Sequence, residues 1–166
     1  MTDAPTPSLL NRLGGWLFPK KDALALGAAI PELAIPDHTG ALVTLPVNGW
    51  TFLYFYPRAD TPGCTKQACS LRDAYESLLD EGVKVFGASL DHVISLRKFR
   101  EKYHLPFPLL ADTEGKLADA FRVPRSFGFT RRQAFLFKDG LLVWRDLDAA
   151  TDQQASDALA AIRKIP

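Results

Sequence analysis

Residues 50–90 read WTFLYFYPRADTPGCTKQACSLRDAYESLLDEGVKVFGASL, and this stretch decides the fold. Trp50 to Tyr56 is a continuous apolar run, aromatic and β-branched, bounded by Pro57. It predicts a strand buried on both faces. Pro57 to Gly63 reads as a loop. From about Gly63 to Asp80, Ala68, Leu71, Tyr75, Leu78 and Leu79 recur at spacings of three and four, the stripe of an amphipathic helix. Gly82 supplies a stop signal. Val83 to Leu90 reads as a second strand. Strand, helix and strand in about forty residues make a βαβ unit with parallel strands and a right-handed crossover.

Downstream, a helix is expected from about Val93 to Tyr103, with Arg97, Lys98, Arg100 and Lys102 on a solvated face. Phe107 to Ala111 suits a strand and Thr113 to Phe121 a short helix. Gln133 to Lys138 and Leu141 to Arg145 flank Asp139-Gly140, a strong hairpin signal. Thr151-Asp152-Gln153-Gln154 fits a capping box for a last helix whose buried stripe is Ala155, Ala158, Leu159 and Ile162. Upstream, Asp37-His38-Thr39-Gly40 marks a turn before a short strand, Ala41 to Leu45. The fold class is α/β: a mixed central sheet flanked by helices on both faces, which resembles a thioredoxin-like fold.

Composition narrows the function classes. The chain has 166 residues, 47% of them apolar and 23% charged, and a length of this order buries about 70% of its unfolded surface. Twenty Lys and Arg against nineteen Asp and Glu leave a net charge of +1, which speaks against a nucleic-acid binder. No apolar run approaches the roughly 20 residues of a membrane span. Two cysteines, Cys64 and Cys69, are too few for a four-cysteine zinc site. His38, His92 and His104 are scattered over different elements, and no glycine-rich phosphate loop occurs, so no metal or cofactor is expected.

Residues 1–22 read as an amino-terminal extension and residues 23–166 as one domain. Within the extension, Leu9, Leu10, Leu13, Trp16 and Leu17 recur at helical spacing, while Gly14 and Gly15 weaken a helix. A docked helix and a loose tail are both open. The segment lacks the basic start of a secretory signal, and a cytoplasmic protein is expected. In a reducing compartment a close cysteine pair points to catalysis rather than to a structural disulfide.

Cys64 falls in the first turn of the helix that follows the strongest strand. Free N–H groups and the helix dipole there favour a thiolate, the nucleophilic form. Arg58 and Lys66 are close in sequence. An inert core cysteine is the alternative; the position at the carboxyl end of a parallel strand favours a functional one. Cys69 is five residues further on. In an intact helix that offset is about 7.5 Å along the axis and about 140° around it. A disulfide needs Cα atoms within about 6.8 Å. Either the pair is coincidental or the helix unwinds to join it.

Pro57-Arg58-Ala59-Asp60-Thr61-Pro62-Gly63-Cys64 has the form P-x-x-x-T-x-x-C, the signature that peroxiredoxins carry. The longer run Phe55 to Asp73 resembles the bacterioferritin comigratory protein/peroxiredoxin Q group, and the resemblance extends over about Leu26 to Arg163, including Lys102 to Asp112. It implies a thioredoxin-like fold and a thiol peroxidase acting on hydrogen peroxide and organic hydroperoxides without a cofactor. It further implies that Cys64 is the peroxidatic cysteine and Cys69 the resolving one, joined in an intramolecular disulfide. By the same resemblance Thr61 bonds the thiolate and the peroxide, Pro57 shields the site from water, and Arg132 is the active-site arginine. Arg131 is its neighbour and rival; the strand register of Gln133-Ala134-Phe135-Leu136 favours Arg132. Thioredoxin or a similar dithiol is the implied reductant, and a monomer is expected. A general thiol–disulfide oxidoreductase and a redox-switched binding domain are the competing functions.

Overall fold

The computed structural model describes residues 22–166. The helical pattern within the extension therefore lies outside the described residues. Five strands form the main sheet: β3 (Trp50–Phe55), β4 (Val83–Ser89), β5 (Leu109–Ala111), β8 (Gln133–Lys138) and β9 (Leu141–Asp146). Their order is β5-β4-β3-β8-β9. β3, β4 and β5 run parallel, as the βαβ reading requires, and β8 and β9 are antiparallel additions. The β8–β9 turn places Asp139 and Gly140 at φ 47° and 79°, the two positive values of a type I′ turn.

β3 is central because its side chains serve both faces. Phe52, Tyr54 and Tyr56 point into one apolar core, and Leu53 and Phe55 into the other. The first core is covered by α1 (Pro62–Asp73), α2 (Tyr75–Asp80), α3 (Val93–Lys102) and α5 (Gln154–Lys164). The second is covered by α4 (Lys116–Ala120) and by the hairpin of β1 (Leu33–Pro36) and β2 (Leu42–Leu45). Helices thus lie on both faces of a mixed sheet. Asp112 anchors α4: its carboxylate accepts the N–H groups of Leu117 and Ala118 at 2.9 and 2.8 Å.

Two local expectations are corrected. The helix expected over Gly63 to Asp80 is two helices, divided at Ala74, whose φ −96° and ψ 4° leave the helical range. The turn of direction sets Tyr75 against Phe107, ring centroids 5.8 Å apart. No capping box forms at the last helix. Gln153 is its N-cap, without a side-chain cap bond, because Gln154 is drawn into the interior instead. β1 and the small hairpin of β6 (Arg125–Ser126) and β7 (Phe129–Thr130) were not expected. The first follows Pro31 closely and itself ends on Pro36, and the second has too few residues for a period to register.

Candidate functional site

The site is assembled where β3 ends. Its chain leaves the sheet at Tyr56, whose carbonyl oxygen accepts the Thr130 hydroxyl at 2.9 Å. The loop that follows is held from several sides. Ala59 N–H donates to the Asp91 carboxylate at 2.8 Å. Asp60 adopts a left-handed φ of 59° and accepts from Lys102 Nζ at 2.9 Å and from the Tyr103 hydroxyl at 2.8 Å. The hydrogen bond from Lys102, then that from Tyr103, lowers the Asp60 pKa. The loop delivers the chain to α1 with Thr61 as N-cap and Pro62 in the first turn, where its missing N–H costs nothing.

Cys64 therefore sits in the first turn of α1, 1% exposed, within the core that contains Tyr54, Tyr56 and Ala68. The first bond of the α1 ladder at this end runs from Thr65 N–H to Thr61 C=O at 2.8 Å. The N–H groups of Gly63 and Cys64 precede it, at the electropositive end of the helix. Cys69 lies on the same helix, partly exposed, and both cysteines are free thiols.

Arg132 reaches this thiol from the residue before β8. Its Nη2 donates to Cys64 Sγ at 3.5 Å. Its Nη1 donates to Gln67 Oε1. A Cβ on Gly63 would stand 3.1 Å from Arg132 Nη2, so the small residue at position 63 admits the guanidinium to the first turn of α1. Arg131 is turned away and pairs with Asp148 at 3.5 Å. Arg58 lies over the Phe129 ring at 5.7 Å, and Lys66 pairs with Asp152 at 3.1 Å. Neither cation is directed at the sulfur.

Thr61 and Pro57 complete the sequence-expected set. The Thr61 hydroxyl donates to the Arg58 carbonyl oxygen at 2.9 Å, which fixes its hydrogen inside the loop and leaves its lone pairs as acceptors. Pro57 is half-buried at the mouth of the loop. Below Cys64, Tyr54 packs under Gly87, where a Cβ would stand 2.8 Å from its hydroxyl. Burial pushes the Tyr54 phenol far above its ordinary pKa, so it stays neutral.

Two buried amides at the site escaped the sequence reading. Gln67 Nε2 donates to Gln154 Oε1 at 2.8 Å, and the two side chains are 0% and 2% exposed. Gln67 is legible in retrospect: three residues after Cys64, it shares that helix face. Nothing in the sequence near Gln154 points to α1. Among the described residues no three His, Cys, Asp or Glu side chains converge to hold a metal ion, and no helix is long and apolar enough to cross a membrane.

A buried cysteine at a helix start with a guanidinium on its sulfur can act as an activated nucleophile. The chain is similar to known proteins of one kind. Residues 26–145 match the AhpC/TSA family model. The chain is 38% identical over 134 residues to peroxiredoxin Bcp of Bacillus subtilis, covering 74% of this chain and 85% of that one. It is 39% identical over 125 residues to the chloroplastic peroxiredoxin Q of Oryza sativa subsp. japonica, covering 70% of this chain and 56% of the relative. The chain spans about half the length of the plant relatives it matches. Peroxidoxin BcpB from Mycobacterium tuberculosis superposes with a TM-score of 0.80 at 33% identity, over 85% of this chain and 97% of that one. The bacterioferritin comigratory protein of Xanthomonas campestris does so with 0.77 at 30% identity, over 86% and 98%. With a family model over most of its length and relatives of one kind on both comparisons, this chain belongs to the AhpC/TSA family of peroxiredoxins, in the Bcp/peroxiredoxin Q group.

Proposed function

We propose that the protein is a thiol-dependent peroxidase that reduces hydrogen peroxide and organic hydroperoxides at Cys64. The observation that carries this is the Arg132 guanidinium on Cys64 Sγ at the amino end of α1. The Cys64 thiolate attacks one peroxide oxygen, the O–O bond breaks, and the sulfur becomes a sulfenic acid while the other oxygen leaves as alkoxide or hydroxide and takes a proton. Negative charge passes from sulfur to the leaving oxygen. Arg132 and the N–H groups at the start of α1 face that charge at both ends of the transfer. Thr61 accepts the hydrogen of the incoming peroxide with the lone pairs that its bond to the Arg58 carbonyl leaves open, and Pro57 limits water at the mouth of the loop. An alkyl peroxide reduction activity is named for the Xanthomonas relative, which supports the same substrate class here.

Cys69 is the resolving residue in this reading. Its sulfur attacks the Cys64 sulfenic acid, water leaves, and an intramolecular disulfide forms. A dithiol protein such as thioredoxin restores both thiols by exchange and is itself left as a disulfide. The reaction requires no second chain, so the working unit is a monomer, formed by residues 23–166 without the extension.

The test is peroxide consumption by the full chain with a thioredoxin system. Cys64→Ser is expected to abolish it. Cys69→Ser is expected to leave one turnover and a trappable sulfenic acid. Full turnover by the Cys64→Ser protein overturns the assignment, and disulfide reduction that proceeds equally without peroxide favours a general oxidoreductase.

A further inference from the structure

The Arg132 guanidinium is the end of a buried polar chain whose direction is set by chemistry. Arginine has donors and no acceptor, so the Gln67 atom that meets Arg132 is its oxygen. The Gln67 nitrogen is then the atom that meets Gln154, and Gln154 must answer with its own oxygen, as it does at 2.8 Å. Reversing either amide would set two donors or two acceptors face to face inside the protein, where an unsatisfied group costs about 1–3 kcal/mol. The chain of donation therefore runs one way, from Arg132 to Gln67 to Gln154.

Gln154 makes no hydrogen bond to Cys64 in this arrangement. It lies in the first turn of α5, 87 residues from Gln67 in the chain, and 2% exposed. Its neighbours hold the same helix face. Asp152 pairs with Lys66 at 3.1 Å, and its carbonyl oxygen accepts the Ser70 hydroxyl at 3.4 Å. Residues 152–154 thus grip α1 at Lys66, Gln67 and Ser70, across the turn that separates Cys64 from Cys69. Of the three contacts only the Gln154–Gln67 bond is buried, and only it continues to the guanidinium.

We propose that Gln154 is a positioning residue for the peroxide reaction: by fixing the Gln67 amide it holds the Arg132 guanidinium on Cys64. A planar cation on a long side chain has many rotamers, and its effect on a developing charge depends on being held in place beforehand. Gln67 Oε1 supplies the second anchor that keeps Nη2 on the sulfur. Without Gln154, the Gln67 amide is free to turn, and that anchor is lost for part of the time. The inference rests on the peroxidase reading of Cys64 and Arg132.

A double-mutant cycle on the full reduced chain tests it, with the second-order rate constant for hydrogen peroxide read by stopped flow. Gln154→Met keeps the side-chain volume and removes the acceptor; it is expected to slow the reaction about 10-fold, since it loosens the arginine rather than deleting it. In an Arg132→Ala background the same substitution is expected to change the rate less than twofold, because the group it positions is gone. Gln154→Glu restores an acceptor and is expected to recover most of the loss. An unaltered rate for Gln154→Met, or an equal loss with and without Arg132, overturns the inference while the peroxidase activity of the wild type stands. A wild-type protein inert to peroxide overturns the function and the inference together. Should Gln154→Met fail to fold, Gln154→Ala removes the same acceptor while leaving Gln67 Oε1 to Arg132, and it is read by the same cycle with the same two overturning results.

Discussion

Arg132 Nη2 meets Cys64 Sγ at 3.5 Å although 68 residues separate the two. The contact joins the amino end of α1 to the residue before β8, and it exists because β3 and β8 are neighbours. Phe55 at the end of β3 pairs with Gln133 at the start of β8. The loop that leaves β3 and the arginine that precedes β8 are thereby brought to the same end of the sheet.

Arg132→Ala should slow the reaction of Cys64 with peroxide by at least about 100-fold, comparable to losing one oxyanion-type donor. Arg131→Ala should change it little, since that guanidinium is spent on Asp148 at the surface. Stopped-flow measurement on both variants decides, and the reverse ranking would move the role to Arg131.

Oxidation should melt part of α1. Both cysteines lie on one helix, at an offset that side-chain rotation alone does not close. Disulfide formation must unwind residues between them, and with them the contacts of Lys66, Gln67 and Ser70 to residues 152–154. Amide hydrogen exchange over Lys66 to Leu71 is expected to speed up in the oxidised protein. Equal protection in both states, with the Cys64–Cys69 bond confirmed by mass, would refute the geometric argument.

His38 should make stability fall in mild acid. Burial, then the positive charge of Arg100, lowers its pKa below the ordinary 6.5; Arg97 acts in the same sense, and Asp37 and Glu101 oppose it. Its Nδ1 accepts the Leu109 N–H at 3.4 Å, which requires an unprotonated nitrogen. Below pH 6.5 the unfolded chain takes up a proton that the folded chain does not, so stability drops as pH falls from 6.5 toward the lower folded value. Urea titrations at a series of pH values should show that slope, and His38→Gln should flatten it. A slope unchanged in the variant would assign it to other groups.

Gly87→Ala should destabilise the protein by about 1–3 kcal/mol, the range for overpacking a filled core. The new methyl would stand 2.8 Å from the Tyr54 hydroxyl and 2.9 Å from Leu109 Cδ2, both fully buried side chains on the strands that flank β4. Thermal or urea unfolding of the reduced protein measures this; wild-type stability would mean that Tyr54 can shift without cost.

The sequence by itself determined the βαβ unit, the final hairpin and the place of Cys64. Each follows from a local period or a turn dipeptide: the apolar run of Trp50 to Tyr56, the three-and-four spacing from Ala68 to Leu79, and Asp139-Gly140 between two apolar runs. Pro57, Thr61 and Cys69 entered as site candidates through the family resemblance, which one loop and one helix carry in a single contiguous run. Arg132 was legible only through the family resemblance, with the register of the strand after it favouring it over Arg131. Tertiary structure alone decided that this arginine meets the sulfur, that Arg131 turns outward, and that Gln154 enters the interior at the expense of a helix cap. It also decided the break at Ala74, where neither glycine nor proline marks the turn. The physical reason is that hydrophobic periods and turn chemistry act over a few residues, whereas a hydrogen bond between Gln67 and Gln154 depends on how two distant helices pack on one sheet.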